Sequence, residues 1–304
     1  MAIDPRHLKT FLTVCRANSI SEAARRMNIS QPSVSVAVTQ LEQALGARLF
    51  ERGRSGIALT AEGVAVRRRA EALESLLHSA EAEVRLIERG VSGPMVIGGT
   101  PGALASLLPK AVEHLTENHP SFDLTVLERP DPTLNELLRS EQIDFALVTT
   151  GIDAVPPDLA EEHLLRDPFS LIAGRQNDDL PSKVALSDLL SHRWVLPEAA
   201  GSFHRQVDAV FVATGTPQPA RIIRCDSLLA TKAIVSRTDC LTILPGQVVA
   251  AELAMGVLRA IEIEGAPFIR TIGVRRLAER TLQPIAEAFL TALRQAHREV
   301  VEFP

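Results

Sequence analysis

The 304-residue chain is 46% hydrophobic and 23% charged, a globular composition that excludes a disordered polymer and allows two or three domains. No run approaches the roughly 20 unbroken apolar residues of a membrane span, and the N-terminal MAIDPRHLKTFLTVCRANS lacks the apolar core of an export signal, so a cytoplasmic protein is expected. The net charge of −5 conceals an asymmetry: residues 1–69 hold 11 Lys/Arg against 5 Asp/Glu and the remainder 21 against 32, a basic head on an acidic body that points to a polyanionic partner.

The first predicted helix covers PRHLKTFLTVCRA, with Leu8, Phe11, Leu12 and Cys15 on one stripe. Ser19-Ile20-Ser21-Glu22 has the form of a capping box, in which Ser and Glu each satisfy an orphan backbone N–H. It opens a short helix, ISEAARRM, whose Ala23 and Ala24 permit close packing. Asn28-Ile29-Ser30 is a turn, Ser30 caps a third helix, Pro32 falls in its first turn, and Gly46 ends it. Two helices joined by such a turn make a helix-turn-helix unit. The N-terminal half of the second carries Gln31, Ser33, Ser35, Thr39 and Gln40, groups suited to base edges and phosphates. Val34, Val38 and Leu41 share its apolar face, which sends Val36 out the opposite side. ARLFERGRSGIALT then reads as a strand, a turn at Gly53–Gly56 and a second strand, a wing with Arg48, Arg52 and Arg54 placed for phosphates. An ordinary small helical domain with a hairpin is the plainer alternative.

The run from Ala23 to Gly63 resembles the N-terminal domain of the LysR-type transcriptional regulators: the AA pair, SQPSVS, LE before the helix end, LGARLFER and LTAEG occur in one order at one spacing. The resemblance implies a winged helix-turn-helix that contacts DNA through Gln31, Ser33 and Ser35 on the recognition helix, whose same exposed face makes Pro32, Val36 and Thr39 further candidates. Ser21 and Arg25 on the preceding helix and Arg52 and Arg54 on the wing complete the surface. Val36 departs from the pattern, since many relatives carry a polar or basic residue there and often Gln where this chain has Ala37. An apolar group at that place suits thymine methyls.

A helix capped by Thr60 is expected over Ala61–Arg89. Val66, Ala70, Leu73, Leu77, Ala80, Val84 and Ile87 recur at alternating spacings of four and three, a heptad seam. Self-pairing competes here with a lone amphipathic helix packed on its own domain. The resemblance implies a dimer through residues 61–90, an interrupted dyad in double-stranded DNA as its operator, a tetramer built from two dimers, and RNA polymerase as a further partner.

From Gly93 onward short β-branched runs (PMVIGG, DLTVLE, IDFALVTT, FSLIAG, RWVLP, ARIIRC, CLTILP, RTIGV) alternate with helical stretches, which implies parallel α/β sheets. Their order is similar to the regulators' effector domain, a periplasmic-binding-protein-like fold of two α/β lobes joined by two crossovers. The expected organisation is a DNA-binding domain at 1–60, a linker helix at 61–90 and an effector domain at 91–304. Lobe I takes 91–164 and 268–304, and lobe II takes 165–267. The crossovers fall near Leu164–Phe169 and Gly265–Phe268, and the last helix, Leu282 to about Val301, returns to lobe I.

Ligands in such sheets lie beyond the C-terminal strand ends, against helix N-termini. Those positions are Thr100, Thr149 and Thr150 in the first lobe, and Pro197, Ser202, Phe203, His204, Ser227 and Pro245 in the second. Hydroxyls beside free N–H groups favour a carboxylate or similar anion, with Arg129 and Arg205 as candidate salt partners; any single Thr or Ser reads first as a simple helix cap, and it is their convergence on one cleft that points to a site.

No His stands at metal-ligand spacing with Cys, Asp or Glu, and no G-x-S-x-G elbow, P-loop or dinucleotide fingerprint is present. The Gly98–Gly102 stretch lacks phosphate-cradle spacing. Cys15, Cys225 and Cys240 are too scattered for a metal cluster and read as reduced thiols. No metal, cofactor or catalytic residue is expected. The rival to a regulator is a two-lobed small-molecule-binding protein or enzyme, which would need an export signal or a catalytic cluster.

Overall fold

The computed structural model describes residues 3–53, 56–198, 201–265 and 268–298. They fall into two compact units, Met1–Pro94 with Glu136–Ile143, and Met95–Asn135 with Asp144–Pro304.

In the first unit α1 (Pro5–Ala17) is capped by Asp4, which accepts the Arg6 N–H at 2.8 Å. The next helix, α2 (Ile20–Met27), is capped by Ser19, whose hydroxyl accepts the Glu22 N–H. The Glu22 carboxylate does not complete the expected capping box: it pairs with Arg25 at 2.7 Å and Arg26 at 3.2 Å, because cations three and four residues on lie within its reach. Asn28, left-handed at φ 54°, turns the chain into α3 (Gln31–Leu45), which the Ser30 hydroxyl caps and Gly46 ends at φ 67°. The hairpin of β1 (Phe50–Gly53) and β2 (Gly56–Leu59) pairs Arg52 with Ile57. Val14, Ala23, Ala24, Val34 and Val38 are buried in one cluster of this unit, and Phe11, Leu41 and Leu49 form a second one.

The long helix α4 (Ala61–Ile87) is capped by Thr60 and stops two residues short of its expected end. Gly63 passes so close to the hairpin that a Cβ there would lie 2.1 Å from the Leu49 carbonyl oxygen. The heptad seam divides in two. Val66 packs against Phe11, Leu41 and Leu49, and Ala70 is buried. Leu77, Ala80, Val84 and Ile87 face outward with Leu76.

After α4 the chain runs β3 (Ser92–Gly99), α5 (Pro101–Asn118), β4 (Phe122–Glu128), α6 (Asp131–Arg139), β5 (Phe145–Thr150) and the long β6 (Leu159–Gly174). It continues with β7 (Lys183–Val184), β8 (Arg193–Leu196), α7 (Ser202–Ala213), β9 (Arg221–Arg224), α8 (Leu228–Arg237) and β10 (Leu241–Pro245). The last elements are α9 (Ala250–Ala254), β11 (Leu258–Ile263), β12 (Ile269–Leu277) and α10 (Pro284–Arg298); Val301 lies outside the described residues. The strand order is β4-β3-β5-β12-β6-β10-β8-β9, with β11 on β6.

The sheets are mixed rather than parallel as expected. β3 with β5, and β8 with β9 and β10, are parallel, but β12 runs antiparallel to both β5 and β6, and β10 and β11 run antiparallel to β6. The reason is that the chain crosses between lobes twice in opposite directions. β6 pairs with β12 through Pro168 and with β10 from Phe169, and at that point the Phe169 N–H donates to the Phe268 carbonyl at 2.8 Å. One core gathers Ile97, Leu107, Phe145, Phe289 and Leu293, so α10 packs back on the first lobe. The other centres on Trp194, edge-on to Phe211 at 5.6 Å.

Candidate functional site

On the first unit, α3 buries Val34, Val38 and Leu41 and exposes Gln31, Pro32, Ser33, Val36, Thr39 and Gln40, with Ser35 half-buried. Val36 stands 53% exposed between Pro32 and Thr39, one turn to either side. Ser33 is partly committed locally, its hydroxyl 2.7 Å from that of Ser30. Ser21 and Arg25 are exposed on α2, where Ser21 donates to the Gln31 amide oxygen at 3.3 Å and Arg25 holds Glu22. These residues share a shallow recess with Asn28 and Ile29, turn residues that thereby also border the recognition helix. Arg52 lies in β1 opposite Ile57; Arg54 falls outside the described residues. Arg48 is exposed at the foot of the hairpin.

In the second unit a cleft of about 480 Å³ opens between the two lobes. Thr100, Thr149, Pro197, Ser202, Phe203, His204 and Pro245 line it. Thr150 and Ser227 do not. Thr150 is on the opposite face of β5, its hydroxyl 2.6 Å from His163 Nδ1 and 3.3 Å from the Thr271 carbonyl, as strand alternation requires. Ser227 spends its hydroxyl capping α8, accepting the Ala230 N–H at 3.3 Å. Arg129 bonds the Glu128 carbonyl at 2.7 Å and is absent from the lining.

Four further lining residues define the cleft's chemistry: Asp131, Arg205, Gln206 and Arg270. Ser202 donates to Asp131 across the cleft at 3.2 Å, and Arg205 pairs with Asp153 at 3.1 Å. Burial raises the pKa of the Asp131 carboxyl against the pull of Arg275 and Ser202, so its charged form is disfavoured. Asp226 accepts the Glu198 N–H, and His204 sits between the Pro197 carbonyl and Asp208.

Arg270 is 5% exposed and Asp167 wholly buried; Nε and Nη2 donate to one carboxylate oxygen at 3.1 and 2.7 Å. The pair lies in register where β6 and β12 carry the chain between lobes. Ser106 bonds Arg270 Nη2, and the Gln247 N–H donates to the second Asp167 oxygen. Burial lowers the pKa of the Arg270 guanidinium, opposed by Asp167. Its Nη1 faces the start of α5, where a Cβ on Gly102 would fall 2.7 Å away.

Two helices, α5 and α7, begin on this cleft, and neither has a side-chain cap accepting its first-turn N–H groups. The lining carboxylates Asp131, Asp153 and Asp226 are already bonded, while these backbone groups and the Nη1 edge of Arg270 face an entering ligand as donors. That arrangement attracts an anion.

Helix-start hydroxyls are legible in the sequence because capping chemistry marks them. Asp167 and Arg270 carried a quieter signal, charges inside apolar strand runs (LLRDPFSLIAG and FIRTIGV), and Gln206 carried only its place one turn beyond Ser202. Among the described residues no helix is long and apolar enough to cross a membrane, and no group of His, Cys, Asp and Glu could hold a metal.

Residues 5–64 match the model of bacterial regulatory helix-turn-helix proteins of the lysR family, and residues 88–298 match the LysR substrate binding domain. The HTH-type transcriptional regulator GalR of Pseudomonas putida is 26% identical over 298 residues, covering 97% of this chain and 74% of that protein. GbpR of Azospirillum brasilense, also an HTH-type regulator, is 27% identical over 305 residues, 98% and 89%. The crystal structure of full-length CbnR complexed with its target DNA has the same fold, with a TM-score of 0.68 at 22% identity over 96% of this chain and 99% of that one.

Proposed function

The chain belongs to the LysR family of DNA-binding transcriptional regulators, and from that premise we propose that it binds an interrupted dyad as a dimer paired through α4 and answers to a small anionic effector in the interlobe cleft. It is a regulator rather than an enzyme. Two recognition helices, one per protomer, would enter successive major grooves. Gln31, Ser33, Ser35 and Thr39 offer hydrogen bonds there, and Ser21, Arg25 and the wing arginines Arg52 and Arg54 meet phosphates. Pairing of two dimers into a tetramer, contact with RNA polymerase and a cytoplasmic setting belong to the same proposal.

The observation that carries the effector reading is the pair of uncapped helix N-termini opening on one cleft. An acid bound there bridges lobe I at Thr100 and lobe II at Ser202–His204, favouring one degree of closure over another. Changed closure alters the spacing of the paired DNA-binding domains. The test is a gel shift of the full chain on DNA from its own upstream region, over a salt series, with and without small carboxylates. Specific binding that weakens linearly in log salt, and a footprint that changes with the acid, are expected. A salt-independent shift overturns the DNA reading. An acid that raises the melting temperature while leaving the footprint unchanged overturns the coupling.

Val36 gives this reading a local test. At the middle of the exposed α3 ridge an apolar branch meets the thymine C5-methyl, the apolar feature of the major groove. Val36→Ser is expected to weaken operator binding by about 1 kcal/mol and to leave nonspecific binding unchanged, by competition titration. Equal losses on both DNAs would place Val36 against the backbone.

A further inference from the structure

We infer that the effector is a monocarboxylic acid with an apolar body, and that its carboxylate seats in lobe I, at the start of α5 on the unbonded Nη1 of Arg270. The inference rests on the cleft being the effector site and adds which end of it takes charge, and how much.

Arg270 is 5% exposed and lines the cleft, and its hydrogen bonds run through Nε and Nη2 alone, to Asp167, Ser106 and the Gly102 carbonyl. Nη1 has no partner among the described residues. It is not sealed off either: the side-chain polar atoms there that are both unbonded and enclosed include none of Arg270. A buried guanidinium with one bare nitrogen at a cavity wall asks for an acceptor from the cavity.

The neighbouring donors make that acceptor a carboxylate. Pro101 opens α5 without an N–H, and the N–H groups of Gly102 and Ala103 have no side-chain cap and no backbone partner. A Cβ on Gly102 would lie 2.7 Å from Nη1, so its absence keeps the space between helix start and guanidinium open. One carboxylate oxygen takes Nη1 while the other takes the first-turn N–H groups. Asp167 already balances the full charge of Arg270, which leaves the helix end's partial charge of about half an elementary unit. A singly charged acid matches that better than a dianion does.

Lobe II has no place for a second anion. The Asp131 carboxylate stands at the start of α7, taking the Ser202 hydroxyl at 3.2 Å. His204 is paired with Asp208 and Arg205 with Asp153. What lobe II offers instead is apolar: Val195, Leu196, Phe203, Leu244 and Val248 line the cleft there. The body of the acid lies against them, so lobe closure buries it while the carboxylate stays on lobe I.

The probes are pentanoate, hexanoate, cyclopentanecarboxylate and benzoate, beside glutarate, adipate and pentanamide, titrated by calorimetry into the full chain. The same series goes into Gly102→Ala and into Asp167→Leu with Arg270→Met. Gly102→Ala puts a methyl where carboxylate and Nη1 would meet, at a helical position that accepts Ala, so its melting temperature should hold. The double variant removes Nη1 without stranding a buried charge. Monoacids are expected to bind the parent about tenfold or more tighter than diacids of equal length or pentanamide, and to lose about tenfold or more in each variant. Monoacids that bind both variants as they bind the parent overturn the inference and leave the cleft an acid site. Diacids that bind as tightly as monoacids overturn it too, by placing a second anion in lobe II. Pentanamide binding as tightly as pentanoate removes the anionic reading of the cleft itself. Failure of all four monoacids at millimolar concentration overturns the inference, and failure of the diacids with them overturns the acid reading as well.

Discussion

Asp167→Asn is expected to destabilise the chain by about 3–5 kcal/mol, the cost of stripping the charge partner from a buried cation. Arg270 is bonded through Nε and Nη2 to one Asp167 oxygen, and Asp167 itself is wholly buried. Asn keeps the shape and one acceptor but leaves the guanidinium uncompensated in a medium that already lowers its pKa. The same carboxylate accepts the Gln247 N–H, so its loss loosens the start of the segment after β10 as well. For a unit of this size the loss corresponds to a fall of about 10 °C in melting temperature by calorimetry. Asp167→Leu with Arg270→Met should recover most of it, because an apolar pair of similar volume leaves no buried charge. A fall below about 2 °C in the single variant would mean that the crossover strands do not depend on the pair. Because the two residues sit where the chain passes between lobes, the single variant should also blunt any effector-dependent change in the DNA footprint.

That ion pair marks the limit of what the sequence disclosed. The helix-turn-helix was legible to its caps: Ser19, Ser30, Thr60 and Gly46 each end or begin the helix their chemistry implies. Local hydrogen bonding decides such positions, and local sequence records it. Glu22 shows where competition enters, since the N-cap N–H and two downstream arginines were equally near in sequence and the charges prevailed. The lobes' parallel strands were visible as apolar runs. The first half of β6, LAEEHLL, was not, because Glu161 and Glu162 break the alternation, and they are there to hold Arg275 and Arg294 from β12 and α10. β11, LRAIEI, is hidden in the same way, with Arg259 and Glu262 inside its run. Within the cleft, seven of the nine positions read from strand ends line it, and the two that do not failed for ordinary reasons, strand alternation at Thr150 and capping at Ser227. Arg270 escaped because its importance there depends on what it fails to bond and on a partner 103 residues away.

Leu77→Glu with Val84→Glu is expected to separate the dimer and to lower operator affinity a hundredfold or more while leaving each protomer folded. The two side chains are one heptad apart on α4 and 56% and 60% exposed, with Ala80 and Ile87 on the same stripe. The first half of the stripe is already spent inside the unit, where Val66 packs against Phe11, Leu41 and Leu49. Pairing therefore has only the stretch from Leu77 onward to use. Placing two carboxylates there adds like charge beside Glu81 and Glu83 and its mirror across the dyad, which a self-complementary seam counts twice. The protomer loses nothing internal, so its melting temperature should hold. The effect on DNA follows from linkage alone: a second recognition helix delivered by the same molecule raises effective concentration by 10²–10⁴, and separated protomers forfeit that factor. Sedimentation should show monomers, and single half-sites should be bound about equally by parent and variant. A variant that stays dimeric with full operator affinity would place the self-contact elsewhere. Loss of half-site binding as well would mean that the outer half of α4 supports the DNA-binding domain, and that the seam is packing rather than pairing.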